Sequence, residues 1–325
     1  MKCAGLLAEL VYRAVPPAAC VASPLLPESL HPGERAQRSI REMGAAPGHA
    51  RFARELLISA GRSYLLQRHM SKLTADALAA FIGRNVDHDG AIDPDTLLEE
   101  RRPLIFATPH YGAMMVGCVA VAHLLRPRKA LNLFFDKKRH GSKLGAFFER
   151  AGMPPATLLG GLAGIRSALR ALERGESLAI LPDAFDDIDR TLVVPFFGRM
   201  LRVASGTASL ALRSRALIVP SFATPRRDFG VRITFGAPID ACRVQADDEQ
   251  QAIFTVTHLL FSRIEAQLRL APQHWRYWEM LPHVSTPLDA LAGLDDAQLL
   301  RTLKSRFHAL PEAVQDIPEL ELLLE

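Results

Sequence analysis

"PLIFATPHYGAMMVGCVAVAHLL", residues 103–125, decides the fold. Its opening, "PLIFATP", is a short apolar run bounded by prolines, the pattern of a buried strand. Its close, "AMMVGCVAVAHLL", is long enough and apolar enough to be a buried helix. His110 stands at the turn between them, and strand-to-helix turns at one edge of an α/β sheet are where such sheets place their chemistry. A catalytic imidazole needs a group to orient it, normally a carboxylate. Residues 111–120 contain none.

Further runs of the same kind follow at regular intervals. "ALNLFF", "SLAILPD", "ALIVPSFA" and "VRITFGAP" read as strands. Between them "GSKLGAFFERAG", "AGIRSALRALERG" and "ASGTASLALRSR" read as helices, the second with an i, i+3, i+4, i+7 apolar stripe ending at Gly175. Strands alternating with helices predict an α/β fold, with a central, largely parallel or mixed sheet flanked by helices. Residues 31–85 carry helical spacings, and 251–270 form another amphipathic helix. Three regions are therefore expected: a helical N-terminal region packed on the core (1–100), an α/β domain (101–285) and a helical C-terminal extension (286–325).

A length of 325 residues with 49% hydrophobic side chains builds a sizeable core and excludes large-scale disorder. The balance of 39 basic to 35 acidic residues is only mildly positive, and no nucleic-acid-binding motif accompanies it. It suits an anionic membrane surface, an acidic carrier protein or a phosphorylated substrate. Four separated cysteines without metal-ligand spacing point to a reduced, cytoplasmic protein. Near the N-terminus Glu9, Arg13 and the Pro16–Pro17 pair interrupt every apolar run before it reaches the ~18 residues of a span. The segment could still lie on a membrane surface as a short amphipathic helix.

Several motifs fail on their spacing. "NVDHDGAIDPDT", residues 85–96, imitates a calcium loop but has Thr96 where a bidentate Glu is needed, and is expected to be a solvated turn before the first strand. "LLGGLAGIRS" lacks the G-x-G-x-x-G spacing. No G-x-S-x-G elbow or phosphate-binding G-x-x-x-x-G-K-[ST] occurs, and the eleven histidines never take a zinc-binding spacing. No metal is expected. "WRYW", residues 275–278, suits a core plug better than a membrane-facing cluster.

"PLIFATPHYG", the Leu-Pro-Asp turn at 181–183, "PFFGR" at 195–199 and the closing "APQHWRYWEML" occur in an order that resembles the bacterial lipid A biosynthesis acyltransferases, a branch of the lysophospholipid acyltransferase superfamily. The likeness runs over roughly residues 35–280. It implies acyl transfer from the thioester of an acyl carrier protein or coenzyme A, with the thioester as a substrate and no cofactor. It also implies that His110 is the base, oriented in the family by a carboxylate five residues on, in the pattern H-x-x-x-x-D/E. Here that position is Met115.

A substitute acid is therefore expected at the end of a neighbouring strand, and Asp136 and Asp183 are the candidates. A backbone carbonyl could serve instead. Tyr111, Met115, Phe197 and Arg199 are the candidate substrate-binding residues, with Met115 also suited to the core and Arg199 to an anionic group or a surface ion pair. The loss of the family acid leaves a second expectation open, a non-catalytic module that binds lipid or carrier protein.

Overall fold

The computed structural model describes residues 52–126, 128–134, 162–183 and 191–291, together with residues 10, 12–14, 36, 40, 148, 293, 295 and 298. In chain order the strands are β1 (Val86–Gly90), β2 (Leu104–Ala107), β3 (Leu131–Phe134), β4 (Ser177–Ile180), β5 (Thr191–Phe196), β6 (Arg199–Ala204), β7 (Leu217–Pro225), β8 (Val231–Phe235), β9 (Ile239–Asp240) and β10 (Ser285–Pro287). The helices are α1 (Phe52–Met70), α2 (Ala75–Asn85), α3 (Pro94–Glu99), α4 (Met114–Leu125), α5 (Leu162–Glu173), α6 (Gly206–Ser214), α7 (Glu249–Leu270) and α8 (Leu281–Val284).

The central sheet runs β1-β8-β7-β2-β4-β3, with β9 also paired to β7. β2 pairs in parallel with both β4 and β7, and β3 with β4, while β7 and β8 are antiparallel. The sheet is thus mostly parallel, with helices on both faces. β2 shows why its sequence is apolar without alternation. Leu104 and Phe106 enter the core on one face, and Ile105 and Ala107 the core on the other. α4 lines the first face, whereas α5, α6 and α7 line the second. Among the described residues no helix is long and apolar enough to cross a membrane.

Two elements correct the reading of the sequence. Residues 1–100 are not purely helical: Val86–Gly90, expected to be a solvated turn, is an edge strand parallel to β8. Its side chains are exposed or half-buried, so backbone pairing forms it and no hydrophobic period announces it. The boundary drawn at 100/101 therefore divides one sheet, and the boundary at 285/286 divides β10.

The second correction is a separate antiparallel sheet, β10-β6-β5. The "PFFGR" motif is the tip of its hairpin. Phe196 pairs with Arg199 across a two-residue turn in which Phe197 and Gly198 both have positive φ, 50° and 69°. That backbone suits the right-handed twist of the hairpin, and glycine is at home in it, but phenylalanine is not. Packing holds it: Phe197 is buried, with its ring against Trp278 and under the Arg269 guanidinium. The helix expected at 141–152 lies outside the described residues apart from Phe148, and residues 301–325 also lie outside them.

Candidate active site

Strand register brings the site together. In the parallel pairing of β2 with β4, Ala107 is opposite Ile180. His110 and Asp183 each stand three residues beyond that pair, so two chains leaving one sheet edge side by side deliver both side chains to one place. The place follows from the topology. The connection after β2 runs through α4 on one face, and the connection after β4 reaches β7 through α6 on the other. Adjacent strands whose connections part to opposite faces open a crevice at their carboxyl ends.

His110 Nδ1 lies 2.9 Å from Asp183 Oδ1, and both side chains are almost fully buried, at 3% and 1% exposure. A carboxylate accepts, so Nδ1 carries the proton and the Nε2 lone pair is left for chemistry. The His110 backbone N–H also donates to the carboxylate, at 2.9 Å to Oδ2, and Trp275 Nε1–H donates to Oδ2 at 2.8 Å. These donors offset the cost of holding a carboxylate in a dry place. The Tyr277 ring covers the imidazole at 4.5 Å between centroids.

The turn itself is clamped by the segment 272–278. Gly112 N–H donates to the His274 carbonyl, and Arg276 N–H to the His110 carbonyl, so the two stretches run antiparallel as a short ladder. Gly112 has φ 52°, and a Cβ there would lie 2.2 Å from the Ala223 carbonyl oxygen, so only glycine lets the turn press against β7. Behind it His274 Nδ1 shares a 2.6 Å hydrogen bond with Ser59 Oγ of α1. Burial, aided by the nearby Arg62 charge, pushes the His274 imidazole down to about 4, so it is neutral at physiological pH. Arg276 Nη2 reaches the Gly112 carbonyl at 3.4 Å, and burial pushes its guanidinium down to about 10.

The family model for bacterial lipid A biosynthesis acyltransferases matches residues 97–279, more than half of the chain, with His110, Asp183 and the 272–278 segment inside the match. The chain belongs to that family. It is an acyltransferase in the lipid-biosynthetic sense of the family name. No curated protein sequence matches it. Among solved structures it is similar to the 1-acyl-sn-glycerophosphate acyltransferase PlsC of Thermotoga maritima, with 12% identity and a TM-score of 0.36, over 82% of this chain and 99% of that one.

Within this acyltransferase the expected residues fall into distinct places. His110 and Asp183 meet. Asp136 lies outside the described residues, and β3, which precedes it, is separated from β2 by β4. Met115 is buried in the core on the α4 face among Met114, Val116 and their neighbours. Tyr111 is buried, its hydroxyl accepting from Gln267 Nε2 and its ring edge-on to Phe222. Arg199 donates from Nε to Ser285 Oγ at 2.6 Å, tying β6 to β10. Phe197 N–H donates to Glu265, which fixes the hairpin tip to α7.

Two contacts of the site were not anticipated from the sequence, those of Trp275 and Tyr277. The "WRYW" cluster suits a core plug, and Trp275 and Trp278 are buried. Nothing in its spacing marks which of its rings touches the histidine and which the acid.

Proposed function

We propose that this acyltransferase moves an acyl chain from a thioester, carried by acyl carrier protein or coenzyme A, to a hydroxyl or amine acceptor. His110 Nε2 takes the proton of the acceptor as its oxygen or nitrogen attacks the thioester carbonyl carbon. The C–S bond then breaks, and the proton passes from the imidazolium to the departing thiolate. Asp183 holds the ring in the Nδ1–H form and stabilises the imidazolium without taking the proton. The reaction needs no cofactor, because the thioester is itself consumed. A cytoplasmic protein in peripheral contact with the inner membrane fits this reading, since an acyl acceptor of the family's kind is a lipid precursor.

One observation carries the proposal: the 2.9 Å contact between His110 Nδ1 and Asp183. Met115 removes the acid that the family places on α4, which favoured a non-catalytic binding module. The carboxylate at the end of β4 supports the catalytic reading instead, since it pairs with His110 from outside α4. Incubating the protein with carrier-protein and coenzyme A thioesters and a panel of lysolipid and amine acceptors, read by mass spectrometry, should yield acylated product. His110→Ala should lower turnover at least about 100-fold, with folding nearly intact. Turnover unchanged in that variant would sink the assignment.

A further inference from the structure

We propose that Trp275 is a positioning residue for acyl transfer, acting through its indole N–H on the Asp183 carboxylate and through it on His110. The inference rests on the reading of His110 and Asp183 as the catalytic pair, and adds a third group to it.

The geometry separates two roles that one tryptophan can play. As a plug, Trp275 packs edge-on against Phe196 and Trp278, with centroid distances of 5.9 and 4.9 Å. A phenylalanine would make most of those contacts. As a donor, its Nε1–H meets Asp183 Oδ2 at 2.8 Å, where both residues are about 1% exposed. A phenylalanine cannot do that at all.

The donor has consequences for the carboxylate. The His110 ring N–H holds Oδ1, and the His110 backbone N–H lies within reach of both oxygens at 3.1 and 2.9 Å. Those two donors come from one residue on one side. The indole approaches Oδ2 from a segment 92 residues further along the chain, and opposes rotation of the carboxylate about its own bond. A hydrogen bond to an ionised acceptor in a dry site is among the stronger kind. It also draws negative charge away from the oxygen that faces the imidazole, which tempers how strongly Asp183 favours the protonated ring.

Trp275→Phe therefore keeps the plug and removes the donor. We expect kcat to fall about 10-fold with KM unchanged within about twofold, because substrate does not touch the indole nitrogen. We also expect the acidic limb of the kcat/KM profile to move to higher pH, since Asp183 then holds the imidazolium more tightly. Among the described residues the other titratable or charged groups around His110 are Tyr277 over its ring and Arg276 on the ladder, with His274 behind Tyr111. The substitution replaces none of these residues, and of their rings only Tyr277 packs against Trp275, edge-on at 6.2 Å, a contact that a phenylalanine ring or a bicyclic analogue can still make. If Trp275→Phe proves insoluble, replacing Trp275 with benzothienylalanine keeps the bicyclic ring and exchanges only N–H for sulfur.

The same shift is readable without turnover, by NMR titration of the His110 ring assigned through His110→Ala. An upward move of that titration in the N–H-deleted variant supports the role of Trp275 even if no acceptor in the panel is acylated, an outcome that would overturn the proposed function alone. Wild-type kinetics together with an unmoved titration would overturn the role of Trp275 and leave a plug.

Discussion

Two histidines stand at opposite ends of one short ladder, and the fold treats them in opposite ways. His110 lends its carbonyl to Arg276, and His274 lends its carbonyl to Gly112. Their backbones do equivalent work. Their rings do not: His110 meets a carboxylate at 2.9 Å, whereas His274 meets a serine hydroxyl at 2.6 Å with the Arg62 charge nearby. Burial, aided by the Arg62 charge, keeps the His274 ring neutral, whereas the His110 ring has a carboxylate to hold its N–H and fix its orientation. One histidine is furnished for proton transfer and the other for holding the turn.

The largest effect should come from removing that difference. Asp183→Asn leaves an amide where three N–H donors converge, so at least one donor faces NH2 instead of oxygen. We expect kcat to drop about 100-fold or more, with a smaller change in KM, and stability to fall by about 1–3 kcal/mol. Steady-state kinetics and thermal melting check both. A variant with wild-type kcat would put His110 in the same class as His274, and the contrast would collapse.

How much of this pair could be read from the sequence depends on the element. "PLIFATP" and its helix were legible because a central parallel strand is apolar on both faces, as Leu104–Ala107 are. That legibility put His110 at a sheet edge and made the acids after strands candidates. It could not choose between Asp136 and Asp183, because strand order is not written in strand composition. β4, rather than β3, lies beside β2, and the Ala107–Ile180 register fixes the rest. β1 stayed hidden because "VDHDG" is an edge held by backbone pairing. The β5–β6 hairpin stayed hidden because its turn is Phe-Gly, held by tertiary packing, and carries no Asn-Gly signal. Nor does spacing separate His274 from the other histidines, since its serine is 215 residues away.

An intermediate effect should appear in acid. His274 is held near 4 in the fold and would titrate near 6.5 in the unfolded chain. Between those values the unfolded state binds a proton that the fold resists, so stability is full above about pH 6.5 and declines as pH falls toward 4. The full difference is on the order of 3 kcal/mol. Burial also lowers His69 and His88, which contribute in the same direction. The comparison that isolates His274 is therefore melting temperature against pH for wild type and His274→Asn. The variant should start lower at pH 7 and lose less on acidification. Parallel curves would mean that the His274 ring is not held neutral by the fold.

The smallest effect tests the polar latch behind that ring. Ser59 is buried on α1, and α1 packs against the turn that carries Pro272–His274. Ser59→Ala removes the partner of His274 Nδ1 and leaves a buried nitrogen with its hydrogen bond unmade. The cost should be about 1 kcal/mol, seen as a lower melting temperature at pH 7. Because the ring of His274 holds the turn and takes no part in proton transfer, kcat should stay within about twofold of wild type. The acidic limb of kcat/KM should also stay in place, in contrast to its move in Trp275→Phe. A kcat loss approaching that of Asp183→Asn would show that the Ser59–His274 pair feeds into the chemistry, and the division of labour between the two histidines would have to be redrawn.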